Sequence, residues 1–361
     1  MRKIRLGELF CGPGGIAKGA HKAASKIKEI ELSHAWAVDS DPDTCETYIK
    51  NIKGSNYDTV FCEDIRKLEF KNLINASKTI DGLAFGFPCN DFSLVGQQKG
   101  MTGKFGPLYN YGVIALKMFK PDFFVAENVG GILSSNNGGA IEKILADLEG
   151  VGYDITPHVY KFEEYGVPQA RHRLIIVGFN KKIGINFRPP KPTHLGKFKT
   201  AKEAIEGKPI AKDAFNHERT IQSELVIKRL SCIKAGENAW NANLPPSLRL
   251  NVKGAKLSQI YKRLHPDRPS YTITGSGGGG THVYHWRENR ALTNRERARL
   301  QTFPDNFEFI GGKESVRKQI GMAVPPDGAA VIFDAVFKSL LGIKYPSIEP
   351  VSIFARRKQW K

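Results

Sequence analysis

Residues 86–93 read GFPCNDFS and place Cys89 directly after a proline, at the end of the apolar run 82–85. A short, turn-bounded apolar run is typical of a buried strand, and a proline lacks a backbone N–H, so the chain leaves the sheet at Pro88. We therefore expect Cys89 to face a cleft at the rim of a sheet. A cysteine thiolate is a nucleophile, whereas a lone cysteine packed in a core is inert. The rest of the chain must decide between these two interpretations.

Positive charge is concentrated in one region of the chain. The sequence has 54 Lys and Arg against 36 Asp and Glu, a formal net charge of +18. Residues 180–263 hold 18 of the basic and 6 of the acidic residues, so +12 of the net charge lies there. Such a segment attracts nucleic acid by neutralising phosphates, whereas scattered lysines serve solubility. The charge distribution therefore indicates a nucleic-acid partner.

Length and composition limit the class of protein. A chain of 361 residues with 41% hydrophobic content is expected to form one large domain and one smaller one. Its five cysteines show no CxxC pair and no zinc-type spacing with histidine, which indicates a reducing compartment and no structural metal. No apolar run resembles a signal peptide or a membrane span. We expect a soluble, cytoplasmic protein.

Apolar runs alternate with amphipathic stretches through the first half of the chain. This alternation predicts an α/β fold with a doubly wound sheet. The composition shifts at Asn180, and from Lys181 to about Arg263 the periodicity is poor and the sequence predicts no fold. The segment Ala329–Leu341 has helical spacing and is expected to pack back on the first domain. Strands are predicted over 4–10, 34–38, 83–85, 123–125, 155–160 and 174–179, and helices over 16–27, 42–52 and 141–148.

A glycine-rich turn, FCGPGG at residues 10–15, follows the first predicted strand and opens the first helix. Backbone N–H groups and a helix N-terminus in that context can receive an anionic group. Asp39 ends the second strand, where a carboxylate can accept ribose hydroxyls, and Asp64 follows the third apolar segment. No Gly-Lys-Ser/Thr follows the turn, so a dinucleotide or S-adenosylmethionine remains. The alternative is that the turn and the acids only cap a strand and helices.

Seven short motifs in one order resemble those of the DNA (cytosine-5)-methyltransferases of the bacterial restriction–modification type. The resemblance implies a Rossmann-like S-adenosylmethionine-dependent methyltransferase sheet with a smaller target-recognition domain. It covers almost all of the chain outside residues 180–262. The implied domains are 1–179 for catalysis and cofactor binding, 180–262 for target recognition, and 263–361 for the remainder of the target domain and a C-terminal segment. The motifs are LFCGPGG (9–15), PC (88–89), ENV (127–129), QARHR (169–173), RPSYTIT (268–274), LTNRER (292–297) and QIGMAVPP (319–326).

The resemblance also implies a chemistry for the site residues. Cys89 adds to C6 of a flipped-out cytosine, Glu127 assists at N3, and Arg173 holds O2 with Arg171 nearby. The activated C5 then takes the methyl group of S-adenosylmethionine, which leaves S-adenosylhomocysteine. The cofactor-binding residues are predicted to be Phe10, Gly12, Gly14, Gly15, Asp39, Asp64, Pro88, Met322 and Ala323, and the DNA-binding residues Ser93, Gln97, Gln98, Thr274 and Gly277.

The same resemblance predicts the partners of the protein. We expect a monomer that methylates double-stranded DNA at specific sites, associates with the bacterial nucleoid and protects host DNA from a cognate restriction endonuclease. Two residues depart from the family pattern: Asn90 stands where glutamine usually follows the nucleophile, and Met322 stands where asparagine is usual.

Three other functions use some of the same features. A transfer-RNA cytosine-5 methyltransferase has the same scaffold, but that branch typically carries a Cys-Phe-Thr motif, which this sequence lacks. A catalytically weak DNA-binding relative would not need Cys89, Glu127 and Arg173. A nicotinamide-dependent oxidoreductase is suggested only by the glycine turn and leaves the basic segment unexplained.

Overall fold

The computed structural model describes residues 1–87, 108–129, 132, 139–251 and 257–350. The chain divides into two compact units and crosses between them four times. Residues 180–192 of the predicted target-recognition segment fall in unit 1, and residues 263–325 fall in unit 2 with the rest of that segment. Unit 1 comprises Met1–Lys161, His172–Pro192 and Pro326–Lys361, and unit 2 comprises Phe162–Arg171 and Thr193–Pro325.

A seven-stranded sheet with the order β3-β2-β1-β4-β5-β8-β6 forms the centre of unit 1. Every neighbouring pair is parallel except those of β8, which runs antiparallel to both β5 and β6. This confirms the predicted doubly wound α/β sheet and all six predicted strands. The strands are β1 (Arg2–Leu9), β2 (Ile30–Asp39), β3 (Val60–Cys62), β4 (Gly82–Gly86), β5 (Phe123–Val129), β6 (Tyr153–Lys161), β7 (Gln169–Ala170), β8 (His172–Asn180) and β9 (Ser270–Tyr271), of which β7 and β9 pair with each other in unit 2.

Helices cover the sheet of unit 1. Because its strands are buried on both faces, they carry apolar residues on both faces. The core contains Leu9, Trp36, Leu83, Phe85 and Phe124, each at most 1% exposed. Parallel strands buried on both faces read as continuous apolar runs, which is why the sequence predicted them. The helices of unit 1 are α1 (Gly15–Ala24), α2 (Pro42–Asn51), α3 (Phe70–Ala76), α4 (Tyr109–Phe119), α5 (Gly139–Gly150) and α10 (Pro326–Leu340).

The helix predicted over Ala329–Leu341 is α10, and it packs against α1 as expected. The two helices approach closely at Gly19, which has no side chain to separate them. A Cβ built there would lie 2.5 Å from the Cβ of Ala329 and 2.5 Å from the carbonyl oxygen of Pro326. Gly19 is therefore fixed by packing between the first and last helices of unit 1.

Unit 2 contains little regular structure, and buried arginines tie its irregular backbone together. Backbone carbonyls outside helices and sheets need donors when they are buried, and a guanidinium offers five N–H groups. Arg171, Arg263 and Arg295 are at most 3% exposed. Their guanidinium groups donate to the carbonyls of Ile273, Gly321 and Ala323, of Leu230, His285 and Glu288, and of Phe215, Pro304 and Phe307, respectively. The helices of unit 2 are α6 (Ala201–Glu206), α7 (Glu224–Ser231), α8 (Asn294–Leu300) and α9 (Lys313–Met322).

One stretch of the described chain, Lys313–Leu340, is long and apolar enough to cross a membrane by composition alone. It comprises α9 and α10, which are separated by non-helical residues at 323–325. Within its most apolar window, 78% is buried inside the protein. Core helices pass the same test, and this burial identifies the stretch as core.

Replacing Gly19 by alanine tests the contact between α1 and α10. We expect Gly19→Ala to lower the free energy of unfolding by about 1–3 kcal/mol, because the added methyl overlaps backbone that cannot easily move. Gly150→Ala, where a built Cβ meets nothing within 4 Å, is the matched control and should be neutral or slightly stabilising. Urea unfolding followed by circular dichroism measures both, and equal losses would contradict the close packing.

Candidate active site

The glycine-rich turn after β1 adopts backbone conformations that few side chains tolerate. Phe10, Gly12 and Gly14 have φ angles of 54°, 53° and 92°, in the left-handed region that favours glycine. A Cβ built on Gly14 would lie 2.9 Å from the Ile52 side chain, so packing also requires glycine there. A Cβ built on Gly12 meets nothing within 4 Å. The turn thus exposes bare backbone at Gly12.

Asp39, at the end of β2, holds the turn in place. Its Oδ2 accepts the N–H of Gly12 at 2.9 Å, and its Oδ1 accepts the N–H of Asp41 at 3.1 Å. Burial raises the pKa of this carboxyl, and the backbone hydrogen bonds oppose that shift. Helix α1 begins at Gly15, and its N-cap residue, Gly14, makes no side-chain cap hydrogen bond. The structure therefore brings the predicted turn and Asp39 together at the N-terminus of α1, where no side-chain hydrogen bond caps the first helical N–H groups.

The other predicted cofactor residues lie in different surroundings. Asp64 follows β3 and forms an ion pair with Arg66, whose guanidinium lowers the pKa of that carboxyl to about 2. Phe10 packs partly buried against the core of unit 1. Met322 is 62% exposed and Ala323 is buried, at the end of α9 in unit 2.

Glu127 and Arg173 form an ion pair on the sheet of unit 1. Arg173 Nε lies 2.8 Å from Glu127 Oε1, and the two side chains are only 12% and 13% exposed. In the antiparallel register Glu127 faces Ile175, so Arg173 is its diagonal neighbour on the same face. Arg173 Nη1 also donates to the carbonyl of His172 at 2.8 Å. The contact between Arg173 Nε and Glu127 is an ion pair without hydrogen-bond geometry, and the hydrogen bond from Nη1 fixes the Arg173 side chain.

The acidic motif also contacts the strand that leads to the predicted nucleophile. Asn128 is buried and donates to the carbonyl of Phe87 at 3.3 Å. A Cβ built on Gly86 would lie 3.3 Å from Glu127 Oε2, so glycine gives that carboxylate room. Phe87 is two residues before Cys89. Cys89 itself, with Pro88, Asn90, Ser93, Gln97 and Gln98, lies outside the described residues.

Arg171 belongs to unit 2, whereas Glu127 and Arg173 belong to unit 1. The chain leaves unit 2 at Arg171 and enters unit 1 at His172. The Arg171 guanidinium donates to the carbonyls of Ile273, Gly321 and Ala323 at 2.9–3.1 Å. These contacts are structural, and the catalytic role of Arg171 stays a prediction.

Two buried glutamines complete the same hydrogen-bond network in unit 2. Gln169 accepts the N–H of Ile273 at 2.9 Å and donates to Gln301 at 3.0 Å. Gln301 in turn donates to the carbonyl of Ile320 at 2.6 Å. The network fixes the segment before Thr274, a predicted DNA-binding residue, and the segment around Met322, a predicted cofactor-binding residue.

The segment around Thr274 and the segment around Met322 approach closely at two glycines, Gly275 and Gly321. A Cβ built on Gly321 would lie 2.0 Å from the nitrogen of Gly275, so only glycine fits between them. Thr274 is exposed, and its hydroxyl accepts from Ser276 at 3.2 Å. A Cβ on Gly277 would lie 3.3 Å from Arg317 Nε.

The sequence prediction missed one ionisable group next to the turn. Glu8 lies in β1, is 1% exposed, and its Oε2 is 3.1 Å from the hydroxyl of Tyr48. An acidic residue inside an otherwise apolar strand is the signal that could have identified it.

The sheet order with a single reversed strand, the glycine turn after β1 and the acid at the end of β2 define a Rossmann-like methyltransferase fold. A crystal structure of a prophage-encoded protein from E. coli has the same fold, with a TM-score of 0.73 at 24% identity over 94% of this chain and 99% of that one. The Entamoeba histolytica methyltransferase EhMeth gives a TM-score of 0.63 at 15% identity over 95% and 99% of the two chains.

The family follows from the sequence match. The model of the C-5 cytosine-specific DNA methylase family matches residues 4–338. The type II methyltransferase M.BbvI of Brevibacillus brevis is 57% identical over 96% of this chain and 94% of its own length. M.NgoFVII of Neisseria gonorrhoeae is 39% identical over 97% and 90%. The chain belongs to the C-5 cytosine-specific DNA methylases, and it is a DNA (cytosine-5)-methyltransferase whose substrate is DNA.

Replacing Arg171 by lysine tests its role as a support of unit 2. The three N–H donors of lysine radiate from one nitrogen atom and cannot reproduce the planar fork that serves these three carbonyls. We expect Arg171→Lys to cost about 2–4 kcal/mol of stability, because buried carbonyls lose their donors. Hydrogen exchange measured by mass spectrometry should accelerate in peptides covering 271–275 and 319–325.

Arg268→Lys, at an exposed arginine of the same unit, is the matched control and should leave both peptides unchanged. Unaltered exchange in Arg171→Lys would show that other contacts hold these segments.

Proposed function

We propose that the protein methylates C5 of a specific cytosine in double-stranded DNA, with Cys89 as nucleophile and Glu127 and Arg173 as the groups that hold and activate the base. The observation that carries this proposal is the Glu127–Arg173 ion pair, with 2.8 Å between Arg173 Nε and Glu127 Oε1, near the carboxyl end of β5. It lies beside Gly86 and Phe87, the strand residues that lead directly to Cys89.

Each of the three side chains has a distinct task in the proposed reaction. The Cys89 thiolate forms a bond to C6, which places electron density on the ring and makes C5 nucleophilic. Glu127 stabilises that density by hydrogen bonding at N3, and Arg173 donates N–H groups to O2 while it orients Glu127. After C5 is methylated, loss of its proton expels Cys89 as a thiolate and restores the aromatic ring.

S-adenosylmethionine fits the glycine turn of unit 1. Bare backbone at Gly12 leaves room for a ligand, and the uncapped N-terminus of α1 can receive a carboxylate. Asp39 keeps this turn in position and presents its carboxylate at the end of β2, where ribose hydroxyls bind in such sheets. When bound, the cofactor supplies an electrophilic methyl group. Phe10, Gly14, Gly15, Asp64, Pro88, Met322 and Ala323 complete the proposed cofactor residues.

The remaining assignments rest on charge and on the relatives. Residues 180–263 carry +12 of the net charge, which supports DNA binding by this region through phosphate contacts. We assign target recognition to residues 180–262. Ser93, Gln97, Gln98, Thr274 and Gly277 are the proposed DNA-binding positions. Because M.BbvI and M.NgoFVII are type II methyltransferases, we assign the protein to a restriction–modification system with a cognate endonuclease. It acts as a cytoplasmic, nucleoid-associated monomer.

Replacing the nucleophile gives the most direct test. Cys89→Ser should lose methyl transfer to DNA, because an alcohol is a far weaker nucleophile than a thiolate at neutral pH, and should retain DNA binding. Incorporation of a labelled methyl group into genomic DNA measures the first property, and electrophoretic mobility shift measures the second. Cys232→Ser is the matched control in unit 2, and turnover by Cys89→Ser would remove the assignment.

Glu127→Gln tests the activating carboxyl separately from binding. The amide keeps the shape and removes the acid, so we expect kcat to fall about 10²–10⁴-fold, with DNA affinity little changed. Glu149→Gln, an exposed residue of α5, controls for a changed surface charge. A covalent adduct with 5-fluorocytosine DNA should still form slowly in Glu127→Gln, and its normal rate would contradict the role of Glu127.

A further inference from the structure

Glu8 is a carboxyl group buried inside the sheet beside the glycine turn. Its register partners in the neighbouring strands are Ala37 and Ala84, whose methyl side chains cannot hydrogen-bond to the Glu8 carboxyl. Its Oε1 is buried and has no hydrogen-bond partner among the residues that the structure describes. An ionised carboxylate in such a place is costly. Burial accordingly raises the pKa of Glu8 to about 8, the Tyr48 hydrogen bond lowers it and the charge of Asp39 raises it further.

A line of hydrogen-bonding groups connects Glu8 to the surface. The Tyr48 hydroxyl lies 3.1 Å from Glu8 Oε2 and 3.4 Å from His34 Nδ1, and His34 Nε2 lies 3.1 Å from the hydroxyl of Thr59. That hydroxyl contacts the exposed residue Asn56. Burial lowers the pKa of His34 to about 4, so its neutral ring accepts at one nitrogen and donates at the other. A proton can therefore pass between Glu8 and solvent.

The position of Glu8 makes it sensitive to charge at the turn. It lies two residues before Phe10, where the turn begins. Burial raises the pKa of the neighbouring Cys11 thiol, and the charge of Asp39 and an ionised Glu8 add to that shift. The other titratable groups around it are Asp39 from β2, Tyr48 and Cys45 from α2, and His34 through Tyr48. A cation bound at the turn would favour the ionised form of Glu8.

We propose that Glu8 couples cofactor binding to proton release: its carboxyl is protonated in the free protein and ionises when a ligand bearing a sulfonium occupies the turn. The proton leaves Glu8 for Tyr48 as the Tyr48 proton moves to His34 Nδ1. The His34 Nε2 proton then passes to Thr59 and on to water. The ionised Glu8 distinguishes the sulfonium of the cofactor from the neutral thioether of S-adenosylhomocysteine. This inference rests on the proposed cofactor.

Calorimetry tests the coupling in the full-length protein. Titrations of S-adenosylmethionine and S-adenosylhomocysteine in buffers of different ionisation enthalpy give the protons released by each ligand. At pH 7 we expect about one proton more for S-adenosylmethionine. Because both ligands share amino and carboxylate groups, the ratio of their affinities isolates the sulfonium. That ratio should rise roughly tenfold in favour of S-adenosylmethionine from pH 6.5 to 8, as an acid with a pKa near 8 loses its proton.

Variants assign the proton to Glu8. Glu8→Gln should abolish both the extra proton and the rise of the ratio, and Glu31→Gln, an exposed carboxylate of β2, should preserve both. Tyr48→Phe should move the rise to higher pH, because the Tyr48 hydrogen bond lowers the pKa of Glu8. Equal proton release by the two ligands in the wild type, or an unchanged signal in Glu8→Gln, would overturn the inference while leaving the cofactor assignment intact. Failure of both ligands to bind the wild type would overturn both.

Discussion

The reversal of β8 is the constraint on which the candidate site depends. Parallel strands present their carboxyl ends along one edge of the sheet, and the glycine turn, Asp39 and Glu127 all follow or end such strands. An antiparallel strand presents its first residues at that same edge. Arg173, at the start of β8, therefore meets Glu127 near the end of β5 at 2.8 Å. A parallel β8 would carry this arginine to the opposite edge.

Unit 2 buries much irregular backbone that lies outside its helices α6–α9 and its paired strands β7 and β9. Buried carbonyls must find donors, and in this unit arginine side chains supply many of them. Arg171, Arg263 and Arg295 each join segments that are distant along the chain. Residues between these supports need no regular periodicity, because arginine side chains rather than repeating backbone hydrogen bonds serve the buried carbonyls.

Glu8 is an acidic residue in the buried part of β1, next to the glycine turn at the carboxyl end of that strand. A sheet centre normally excludes an unpaired acid, because desolvation has no compensation there. In the described part of the chain the Glu8 carboxylate has one hydrogen-bond partner, the Tyr48 hydroxyl, and Glu8 comes two residues before the turn that we assign to the cofactor. The same burial that raises its pKa makes its ionisation responsive to a bound cation. Burial thus favours the protonated carboxyl of Glu8 while the site is empty. When a positively charged ligand is bound, the same carboxyl ionises and favours that ligand over a neutral one.

The sequence by itself determined the α/β sheet, its six main strands and the glycine turn after β1, because parallel strands buried on both faces leave apolar runs that can be read directly. It could not determine the fold of residues 181–263, since arginine-to-carbonyl bonds produce no periodic pattern. Tertiary structure alone separated Arg171 from Arg173, two residues apart but in different units. It also placed Tyr48 and His34 against Glu8, because hydrogen bonds between distant elements depend on packing and not on spacing along the chain.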